Sequence, residues 1–574
     1  MSTTLPQKSI SGIKDFIEPL SIDDKTLYKL AYRFSVTYRQ LAASSFDQFF
    51  PTAVTCLPTG QETGNYLAVY VGLYYLRVSF IDLLGQSPGK HKYPEQQSVR
   101  RTLEKAWPIG DHLKRDHAPA FFSWIGDCIA EVVADSLTPS SMEDAPAEIT
   151  MGISFCFPIM QKSLDEAILM PTGKGFALAT DLNLRQALLD GYECHTRRSD
   201  DDGDRPARAK RQRQYALPKL KIAAMTNDTV ATLASMAYSI RSLPNTRVVM
   251  GLVIGAGCNS TVSMRLSDLH KSKTQHIISK DPEAEKMLIC TEWTLYGSAP
   301  PIRELGVITK WDTFLDKHSK RPGFQPLEYM IGGRYIGELV RIIIYDYFTE
   351  RLGIPPSDLP SKLVEEYALT TDFISLTIAS NSSIDNLVID LTEQLPPPSS
   401  SSWEWTASSA RDLRTIAFAV QTRASALVAA STVGLLACTG EITLQDPDSL
   451  SPTHQGTSDS QTTDQGCKPE ISLSKENWRN GPEELVVAFS GGVIQHYPNY
   501  KEAVQRYIDR LLLHGGPQDG GKSIFLREVS DGGIIGVGVL AGTACGKIEG
   551  IIVSSLEQER KSRDPSEQAM GNEC

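Results

Sequence analysis

Apolar runs and amphipathic runs alternate along the chain, which is typical of an α/β protein. The stretch "LKIAAMTNDTVATLASMAY" predicts a strand that ends near Met225, a polar turn and a helix through Tyr238. "RVVMGLVIGAGCN" predicts an apolar strand followed by a glycine-rich turn. Helical spacing in "EYMIGGRYIGELVRIIIYDYFTERLG" predicts a helix that stops at Gly353. A second long helix is predicted in "ARDLRTIAFAVQTRASALVAASTVGLLAC", and we expect a core helix rather than a membrane span because charges such as Arg423 interrupt it.

Three segments lack the periodicity of buried elements and are predicted to be inserts or linkers. Residues 195–214, "HTRRSDDDGDRPARAKRQRQ", place an acidic block before a basic one and are expected to form a solvated loop. The run "AKRQR" within them fits a nuclear-localisation patch, although short basic runs are more often plain exposed loop. The stretch "QLPPPSSSS" from Gln394 is predicted to be flexible or polyproline-like, and residues 440–470 are predicted to be disordered.

Length and charge narrow the class of protein. A chain of 574 residues exceeds one hydrophobic core, so two or more lobes are expected. The formal net charge of −11 argues against a field that attracts nucleic acid or an anionic membrane. The N-terminal residues lack a charged region followed by an apolar run, and no uninterrupted apolar run of about eighteen residues occurs. We therefore expect a cytoplasmic protein with no membrane and no direct nucleic acid partner, for which the basic insert leaves nuclear entry open.

The ten cysteines are scattered, with no Cys-x-x-Cys pair and no histidine cluster at metal-binding spacing. This distribution predicts neither a zinc site nor a disulfide framework, and it fits a reducing compartment. The sequence therefore predicts no protein metal ligands.

Asp228 and the turn "IGAGCN" are the first candidates for chemistry. Asp228 is expected at the carboxyl end of a strand and the start of a helix, where α/β sheets place ligands. An Asp at such a junction is, taken alone, more often a helix N-cap. Gly255 and Gly257 follow a strand, so that main-chain N–H groups there are able to cradle an anion, although a single Gly-x-Gly is usually a tight turn.

Three further polar residues suit a sugar ligand. Glu292 stands beside Trp293 in "TEWTLYGSAPP", and "GFQPLEYMIGG" supplies Gln325 and Glu328. Carboxylates hold sugar hydroxyls through charge-assisted hydrogen bonds. Each of these residues fits equally well as a helix-end or surface polar group, so spacing alone leaves both interpretations open.

The order of the motifs resembles that of one family. "LPTGQETGNYLA", "SFCFPIMQKSLDEAIL", "GKGF", "TNDTVATL", "IGAGCN", "TEW" and "EYMIGGRYIGELVR" follow one another as in the eukaryotic hexokinases, from about residue 26 to about residue 543. The chain looks most similar to the fungal N-acetylglucosamine kinases and the atypical hexokinase-like proteins near them, since "GKGF" stands where glucose kinases have Thr-Lys-Gly-Phe. The resemblance implies an α/β, two-lobed actin-like ATPase fold of the hexokinase type with a sugar cleft between the lobes.

The resemblance also implies how the lobes divide the chain. Residues 1–56 would be a helical part of the large lobe, residues 57–225 the small lobe and residues 226–530 the large lobe. Residues 531–574 would form a C-terminal helix that returns to the small lobe, with a tail.

By resemblance, most of the sugar-binding residues are present. Asp228 matches the general base for the sugar 6-hydroxyl. The positions that match sugar contacts are Cys156, Lys174, Asn227, Asp228, Asn259, Glu292, Gln325 and Glu328. Cys156 replaces the usual serine and Gly173 replaces the threonine before Lys174, and each change removes a hydroxyl worth roughly 0.5–1.5 kcal/mol to the sugar. The same changes enlarge the pocket, which would suit a bulkier 2-substituent such as acetamido.

The nucleotide half departs from the family pattern. The first phosphate motif, Leu-Asp-Leu-Gly-Gly-Thr-Asn-x-Arg, corresponds here to "VYVGLYYLR". Tyr70 stands where the aspartate of the magnesium shell belongs, Leu73 replaces the second glycine, and Tyr74 and Tyr75 replace threonine and asparagine. A neutral phenol is a poor group for Mg²⁺, and a Leu side chain resists close approach of phosphate. The residues still expected to contact nucleotide are Gly72, Arg77, Gly255, Gly257, Ser490, Gly491, Asp531, Gly532 and Gly536.

Two functions follow from these residues. The first is an ATP- and Mg²⁺-dependent kinase for the 6-hydroxyl of a hexose or N-acetylhexosamine. The second is a sugar sensor that transfers phosphate slowly or not at all and acts through regulatory protein partners. A third possibility, without a function of this kind, is a decayed paralogue that binds no ligand. We expect small-molecule partners, sugar and ATP, and a monomer or weak dimer.

Overall fold

The computed structural model describes residues 12–85, 98–137, 146–170, 176–197, 216–240, 245–448 and 482–546. The chain forms two compact units, each built from separate segments. The large unit comprises Met1–Phe50, Leu243–Ile278 and Glu283–Ser530, and the small unit comprises Pro51–Ser242, Ser279–Pro282 and Asp531–Cys574.

The elements of the described residues are as follows. The strands are β1 (Phe50–Pro51), β2 (Thr63–Val71), β3 (Tyr75–Leu84), β4 (Val99–Pro108), β5 (Glu148–Phe155), β6 (Ile159–Ser163), β7 (Glu166–Leu169), β8 (Lys219–Asn227), β9 (Thr246–Ile254), β10 (Cys258–Arg265), β11 (Lys286–Cys290), β12 (Glu484–Ser490) and β13 (Ser523–Glu528). The α-helices are α1 (Ile13–Phe16), α2 (Asp24–Ser44), α3 (Asp111–Arg115), α4 (Ala118–Ser136), α5 (Leu184–Glu193), α6 (Asp228–Ile240), α7 (Lys271–Lys280), α8 (Pro300–Glu304), α9 (Lys310–His318), α10 (Pro326–Ile331), α11 (Gly333–Asp346), α12 (Ser361–Val364), α13 (Thr371–Phe373), α14 (Ile384–Gln394), α15 (Ala407–Cys438), α16 (Gly492–His496), α17 (Tyr500–Gly515) and α18 (Gly532–Gly546). Two π-helical runs, Tyr347–Arg351 and Ile374–Ala379, extend α11 and α13.

The small unit is built on a five-stranded sheet in the order β4-β3-β2-β5-β8. β2, β3 and β4 pair antiparallel, whereas β2, β5 and β8 run parallel. The centre of β2 reads as a continuous buried run, Leu67 to Val69, because both faces of the sheet are covered. The parallel strands therefore bring their carboxyl ends, near Val71, Phe155 and Asn227, to one edge of the sheet.

Helix α18 packs onto the small unit at close range. A Cβ placed at Gly536 would lie 1.7 Å from the carbonyl oxygen of Ala231, and one at Gly152 would lie 2.3 Å from that of Val537. A side chain at either position would push the helix away. The predicted nucleotide residue Gly536 is thus explained by helix packing within this unit.

The large unit has a six-stranded sheet in the order β1-β11-β10-β9-β12-β13. β9, β10 and β11 pair antiparallel, whereas β9, β12 and β13 are parallel. Helix α15, 32 residues long, passes through the core of the unit. Among the described residues it alone is long and apolar enough to span a membrane, but 83% of its most apolar window is buried inside the protein. Its Arg423 is fully buried and forms a bidentate ion pair with Asp312, with two N–O distances of 2.7 Å. The helix is therefore a core helix of the large unit, as predicted.

The structure moves two of the expected domain boundaries. The small unit begins at Pro51 rather than residue 57 and extends to Ser242 rather than residue 225. The second shift arises because β8 runs without a break into α6, and α6 packs against β5 and β8 of the same unit. Residues 226–242 therefore belong to the small unit and not to the large one.

Parts of the predicted inserts are packed. Glu441 forms a bidentate ion pair with Arg247, and Gln445 exchanges backbone hydrogen bonds with the Tyr28 hydroxyl, so residues 440–448 are not disordered. The prediction for residues 449–470 lies outside the described residues. After Gln394, the indole of Trp405 donates to the Leu395 carbonyl at 2.8 Å, which fixes the ends of a segment that we predicted to be flexible.

The first insert also begins with an ordered residue. His195 is buried rather than solvated. Residues 198–214, with their acidic and basic blocks, lie outside the described residues.

Candidate functional site

Glu328 is the centre of a polar cluster in the large unit. It lies on α10, three residues after the N-cap residue Gln325, whose side-chain amide donates to one carboxylate oxygen. The backbone N–H of Cys258 donates to the other oxygen at 3.0 Å. A Cβ at Gly257 would lie 2.7 Å from that oxygen, so the glycine is needed for the carboxylate to approach the β9–β10 turn. Gly257 is predicted as a nucleotide contact. In the structure, the absence of a side chain at Gly257 leaves the space that the Glu328 carboxylate occupies.

Glu292 forms a second carboxylate position in the same unit. The side-chain amide of Asn259 donates to Glu292 Oε1 at 2.7 Å, and the Asn259 oxygen accepts from the Glu292 N–H at 3.1 Å. Glu292 has φ +46°, which is uncommon for a residue with a side chain and is typical of functional positions. The structure thus joins four of the predicted sugar residues, Asn259, Glu292, Gln325 and Glu328, around the Cys258–Asn259 segment.

Gln48 was missed by the sequence interpretation. Its buried side-chain amide donates to the Glu292 carbonyl at 2.7 Å and to the Ser298 hydroxyl at 3.2 Å. These bonds hold the backbone that carries the Glu292 carboxylate. No spacing rule could have found Gln48, because it lies 244 residues before Glu292 in the chain.

We expect Gln48→Ala to weaken sugar binding about tenfold, because the Glu292 carbonyl loses a buried partner worth about 1–3 kcal/mol and its strained backbone can relax. The measurement is the sugar concentration that gives half of the maximal thermal stabilisation. Gln505→Ala is the matched control, since the Gln505 side chain also bonds groups distant in sequence, Ile524 O and Leu526 N, but no candidate sugar residue. Equal affinities in the two variants would contradict the positioning role of Gln48.

Lys273 holds the backbone of Gln48 through a hydrogen bond. Its ammonium nitrogen lies 2.9 Å from the Gln48 carbonyl oxygen, and burial lowers the pKa of Lys273 to about 8. Between pH 8 and about pH 10.5 the unfolded chain therefore holds more protons than the folded one, and the free energy of unfolding rises with pH. We expect the stability gap, defined as the free energy of unfolding of the parent minus that of Lys273→Met, to rise by up to about 1.4 kcal/mol per pH unit in this window. Thermal unfolding at pH 7, 8, 9 and 10 measures the gap, and a constant gap would contradict the lowered pKa.

The small unit carries the candidate base. Asp228 is the first residue of α6, where the helix dipole favours a carboxylate, and it is buried. The first-turn N–H of Thr229 is capped by the side-chain oxygen of Asn227 at 3.0 Å, and the Asn227 amide donates to the Phe157 carbonyl. The residue whose side chain caps α6 is therefore Asn227. It has this structural role in addition to any sugar contact.

The other small-unit sugar residues differ in what the structure shows. Cys156 follows β5, is buried, and donates its N–H to the Val71 carbonyl at 3.0 Å. It therefore lies at the same sheet edge as the β8–α6 junction. Lys174 and Gly173 lie outside the described residues.

Tyr70 occupies the position expected for the magnesium-shell aspartate. A Cβ at Gly533 would lie 2.8 Å from its ring and one at Gly72 would lie 3.0 Å from it, so the ring lies directly against both glycines. Withdrawal of the hydroxyl from water raises the pKa of Tyr70 well above its ordinary value, and the charges of Asp228 and Cys156 raise it further. The phenol therefore stays neutral and cannot supply the anionic oxygen that Mg²⁺ prefers.

The two following tyrosines point outward from the β2–β3 hairpin. Tyr74 and Tyr75 are 60% and 56% exposed, whereas Leu73 packs partly against the small-unit core. The ammonium of Lys114 lies 5.1 Å from the centre of the Tyr74 ring. The turn is closed by a hydrogen bond from the Gly72 N–H to the Tyr75 carbonyl, at 3.0 Å, so this backbone N–H is engaged within the hairpin.

Arg77 and Asp531 are brought together, but as partners of each other. Arg77 forms ion pairs with Asp531 and Glu104, and Arg101 lies 2.6 Å from the second oxygen of Asp531. Burial alone would raise the pKa of Asp531, but the hydrogen bond and charge of Arg77, with Arg101, lower it below its ordinary value. Asp531 thus stays ionised and fixes the start of α18, at Gly532, to β3.

The second set of glycine turns lies in the large unit. Gly491 has φ +110° and approaches the Ile254 carbonyl so closely that a Cβ would lie 2.5 Å from it. Gly255 donates to the Gly257 carbonyl at 2.9 Å and accepts from the Gly333 N–H at 2.8 Å. Ser490, at the end of β12, and Gly491 therefore adjoin the Gly255 turn, as a shared anion-binding edge would require.

Two α/β units, a hairpin turn on each sheet, of which the large-unit turn holds Gly255 and Gly257, and a carboxylate cluster beside the larger sheet fit the actin-like class of sugar kinase folds. The chain belongs to the hexokinase family: two hexokinase family models match residues 12–238 and residues 249–543. The second match alone covers about half of the chain.

Individual relatives agree with this assignment. The chain is 28% identical to the hexokinase of Kluyveromyces lactis over 327 residues and 32% identical to that of Schistosoma mansoni over 336 residues. Each match covers 57% of this chain but only 58% and 62% of those relatives. Hexokinase-2 of Solanum tuberosum is 24% identical over 533 residues, 92% of this chain and 90% of the relative.

Solved structures confirm the expected fold. The Schistosoma mansoni hexokinase complexed with glucose superimposes with a TM-score of 0.65 and 22% identity, covering 92% of this chain and 98% of that one. A second hexokinase crystal structure gives a TM-score of 0.60 at 19% identity, with the same coverage.

Proposed function

We propose that the protein binds a hexose or N-acetylhexosamine and that the reaction of its site is the transfer of phosphate from ATP to the sugar 6-hydroxyl. The observation that carries the proposal is the pre-formed cluster of Asn259, Glu292, Gln325 and Glu328, in which both carboxylates are buried and hydrogen-bonded within the large unit. Such carboxylates accept hydrogen bonds from sugar hydroxyls without reorganising. Asp228 is the group that would take the 6-hydroxyl proton.

Glucose is the first substrate to test, because a relative with the same fold is known in complex with it. An N-acetylhexosamine is the second, because Cys156 removes a hydroxyl from the sugar site. A thiol is a weaker hydrogen-bond donor than a hydroxyl, so the loss for glucose is about 0.5–1.5 kcal/mol. A preference for N-acetylglucosamine over glucose would support the acetamido pocket.

A second candidate function is favoured by the first phosphate turn. The residues there do not fit Mg²⁺ and triphosphate: Tyr70 is neutral and its ring lies against Gly72 and Gly533. Arg77 is committed to Glu104 and Asp531. On this proposal the protein keeps its sugar site, transfers phosphate slowly or not at all, and reports sugar to a protein partner.

A coupled ADP-release assay with glucose, mannose and N-acetylglucosamine separates the two functions. Turnover of about one per second or faster, the ordinary enzymatic range, would support the kinase and exclude the sensor. Absent turnover with a sugar-dependent rise in the thermal midpoint would support the sensor, because a ligand that binds only the folded state must stabilise it. Absence of both would contradict sugar binding itself.

A further inference from the structure

The contact between α4 and the end of α5, in the small unit, gathers three side chains of metal-ligating type. Asp127, Cys194 and His195 each place one ligand atom within 4.8 Å of the other two. His195 Nε2 lies 2.9 Å from Asp127 Oδ1, and His195 is 1% exposed. None of the three belongs to the sugar or nucleotide residues described above.

The two helices are held in fixed register by a pair of glycines. A Cβ at Gly126 would lie 2.2 Å from the Gly191 carbonyl oxygen, and a Cβ at Gly191 would lie 2.2 Å from that of Phe122. The backbones therefore touch directly. Asp127 follows the first glycine, and His195 lies about one turn beyond the second, so the ligands are attached to the most closely packed part of the helix pair.

His195 is further fixed by its own backbone and by Tyr192. Its N–H donates to the Tyr192 carbonyl and its carbonyl accepts from the Leu217 N–H, both at 3.0 Å. Its ring lies 5.5 Å from the ring of Tyr192, whose hydroxyl donates to the Pro218 carbonyl at 3.1 Å. Ligands placed on rigid elements with locked side chains are the condition for a precise metal site.

We propose that Asp127, Cys194 and His195 bind one divalent cation of the zinc class, with water in a fourth position. The set of one carboxylate, one thiolate and one imidazole suits a borderline ion such as Zn²⁺ or Co²⁺ and excludes Mg²⁺ and Ca²⁺, which prefer oxygen ligands. On binding, the Cys194 thiol releases its proton to solvent, and bonds to the metal replace the His195–Asp127 hydrogen bond. The carboxylate and thiolate then balance the two positive charges of the ion.

Sequence spacing does not predict this site, because Asp127 and His195 are 68 positions apart. The packing of α4 against α5, which is closest at the glycine contact, brings them together. The inference is independent of the sugar reaction, since the ion would join two helices of the small unit and stabilise them.

The test is a Co²⁺ titration of the full chain after removal of adventitious metal with a chelator. We expect saturation at one equivalent, a thiolate-to-cobalt charge-transfer band, displacement of Co²⁺ by Zn²⁺ and a higher thermal midpoint with Zn²⁺. Cys194→Ser should abolish the charge-transfer band, and Asp127→Asn, which keeps a partner for His195, should weaken binding at least tenfold.

Two control variants separate this site from adventitious binding. Cys56→Ser removes an exposed thiol, and His117→Ala removes an exposed histidine whose Nδ1 lies 2.9 Å from Asp116. Both should bind Co²⁺ like the parent. Failure to saturate, or a charge-transfer band that persists in Cys194→Ser, would overturn the proposal and leave His195–Asp127 as a structural hydrogen bond.

Discussion

Replacing Tyr70, Leu73, Tyr74 and Tyr75 by Asp, Gly, Thr and Asn is expected to raise ATP-dependent sugar phosphorylation about a hundredfold. A metal that neutralises the transferring phosphate contributes several kcal/mol, and a hundredfold corresponds to about 2.7 kcal/mol. Tyr70→Asp removes the ring from Gly72 and Gly533 and supplies a carboxylate in its place. Leu73→Gly removes the Cβ that hinders approach of phosphate.

The measurement is the rate of ADP release at saturating glucose, for the fourfold variant and for two partial variants. Tyr74→Thr with Tyr75→Asn is the matched control, because both rings are exposed, whereas the Tyr70 ring lies against Gly72 and Gly533. We expect this pair to have a small effect and Tyr70→Asp to account for most of the gain. If the fourfold variant is no faster than the parent, the first phosphate turn is not the defect.

Asp228→Asn is expected to lower phosphorylation by about 10²–10⁴-fold in the fourfold variant while sugar-dependent stabilisation is retained. The amide has the shape of the carboxylate but cannot take the 6-hydroxyl proton, and general-base help is worth this range. The control is Asp190→Asn in the same fourfold variant. Asp190 is an exposed residue on α5, so this change should leave the rate of the fourfold variant unaltered. An unchanged rate would contradict the base role, and a lost sugar shift would show that Asp228 chiefly holds the sugar.

The sequence patterns predicted the elements that carry the site. The apolar run before Asp228 is a buried strand and the residues after it are a helix, and the glycine turn "IGAGCN" does join two strands. These predictions worked because each rests on local periodicity and turn chemistry. Glu292, Gln325 and Glu328, which spacing alone could not distinguish from surface groups, are buried beside the Cys258–Asn259 segment.

What the sequence could not predict depends on contacts between distant residues. Gln48 donates to the Glu292 carbonyl and Lys273 donates to the Gln48 carbonyl, and no local pattern marks either residue. The expected boundary after residue 225 rested on the resemblance alone, whereas the contacts of α6 with β5 and β8 place this helix in the small unit. Gly536 resembles a ligand-binding glycine in the sequence, yet its absent side chain admits the backbone of α6.

The attachment of α18 to the small unit has a consequence for folding during synthesis. The strands β2 and β3 are synthesised early. The Arg77–Asp531 ion pair and the contact between Gly152 and Val537 form only later, because Asp531 and Val537 are synthesised after the whole large unit. A ribosome-bound chain therefore carries an incomplete small unit whose sheet lacks one covering helix for most of translation. In nascent chains stalled before residue 531, we therefore expect proteases to cleave this sheet. We also expect chaperones to bind such chains, because the apolar face of the sheet is exposed.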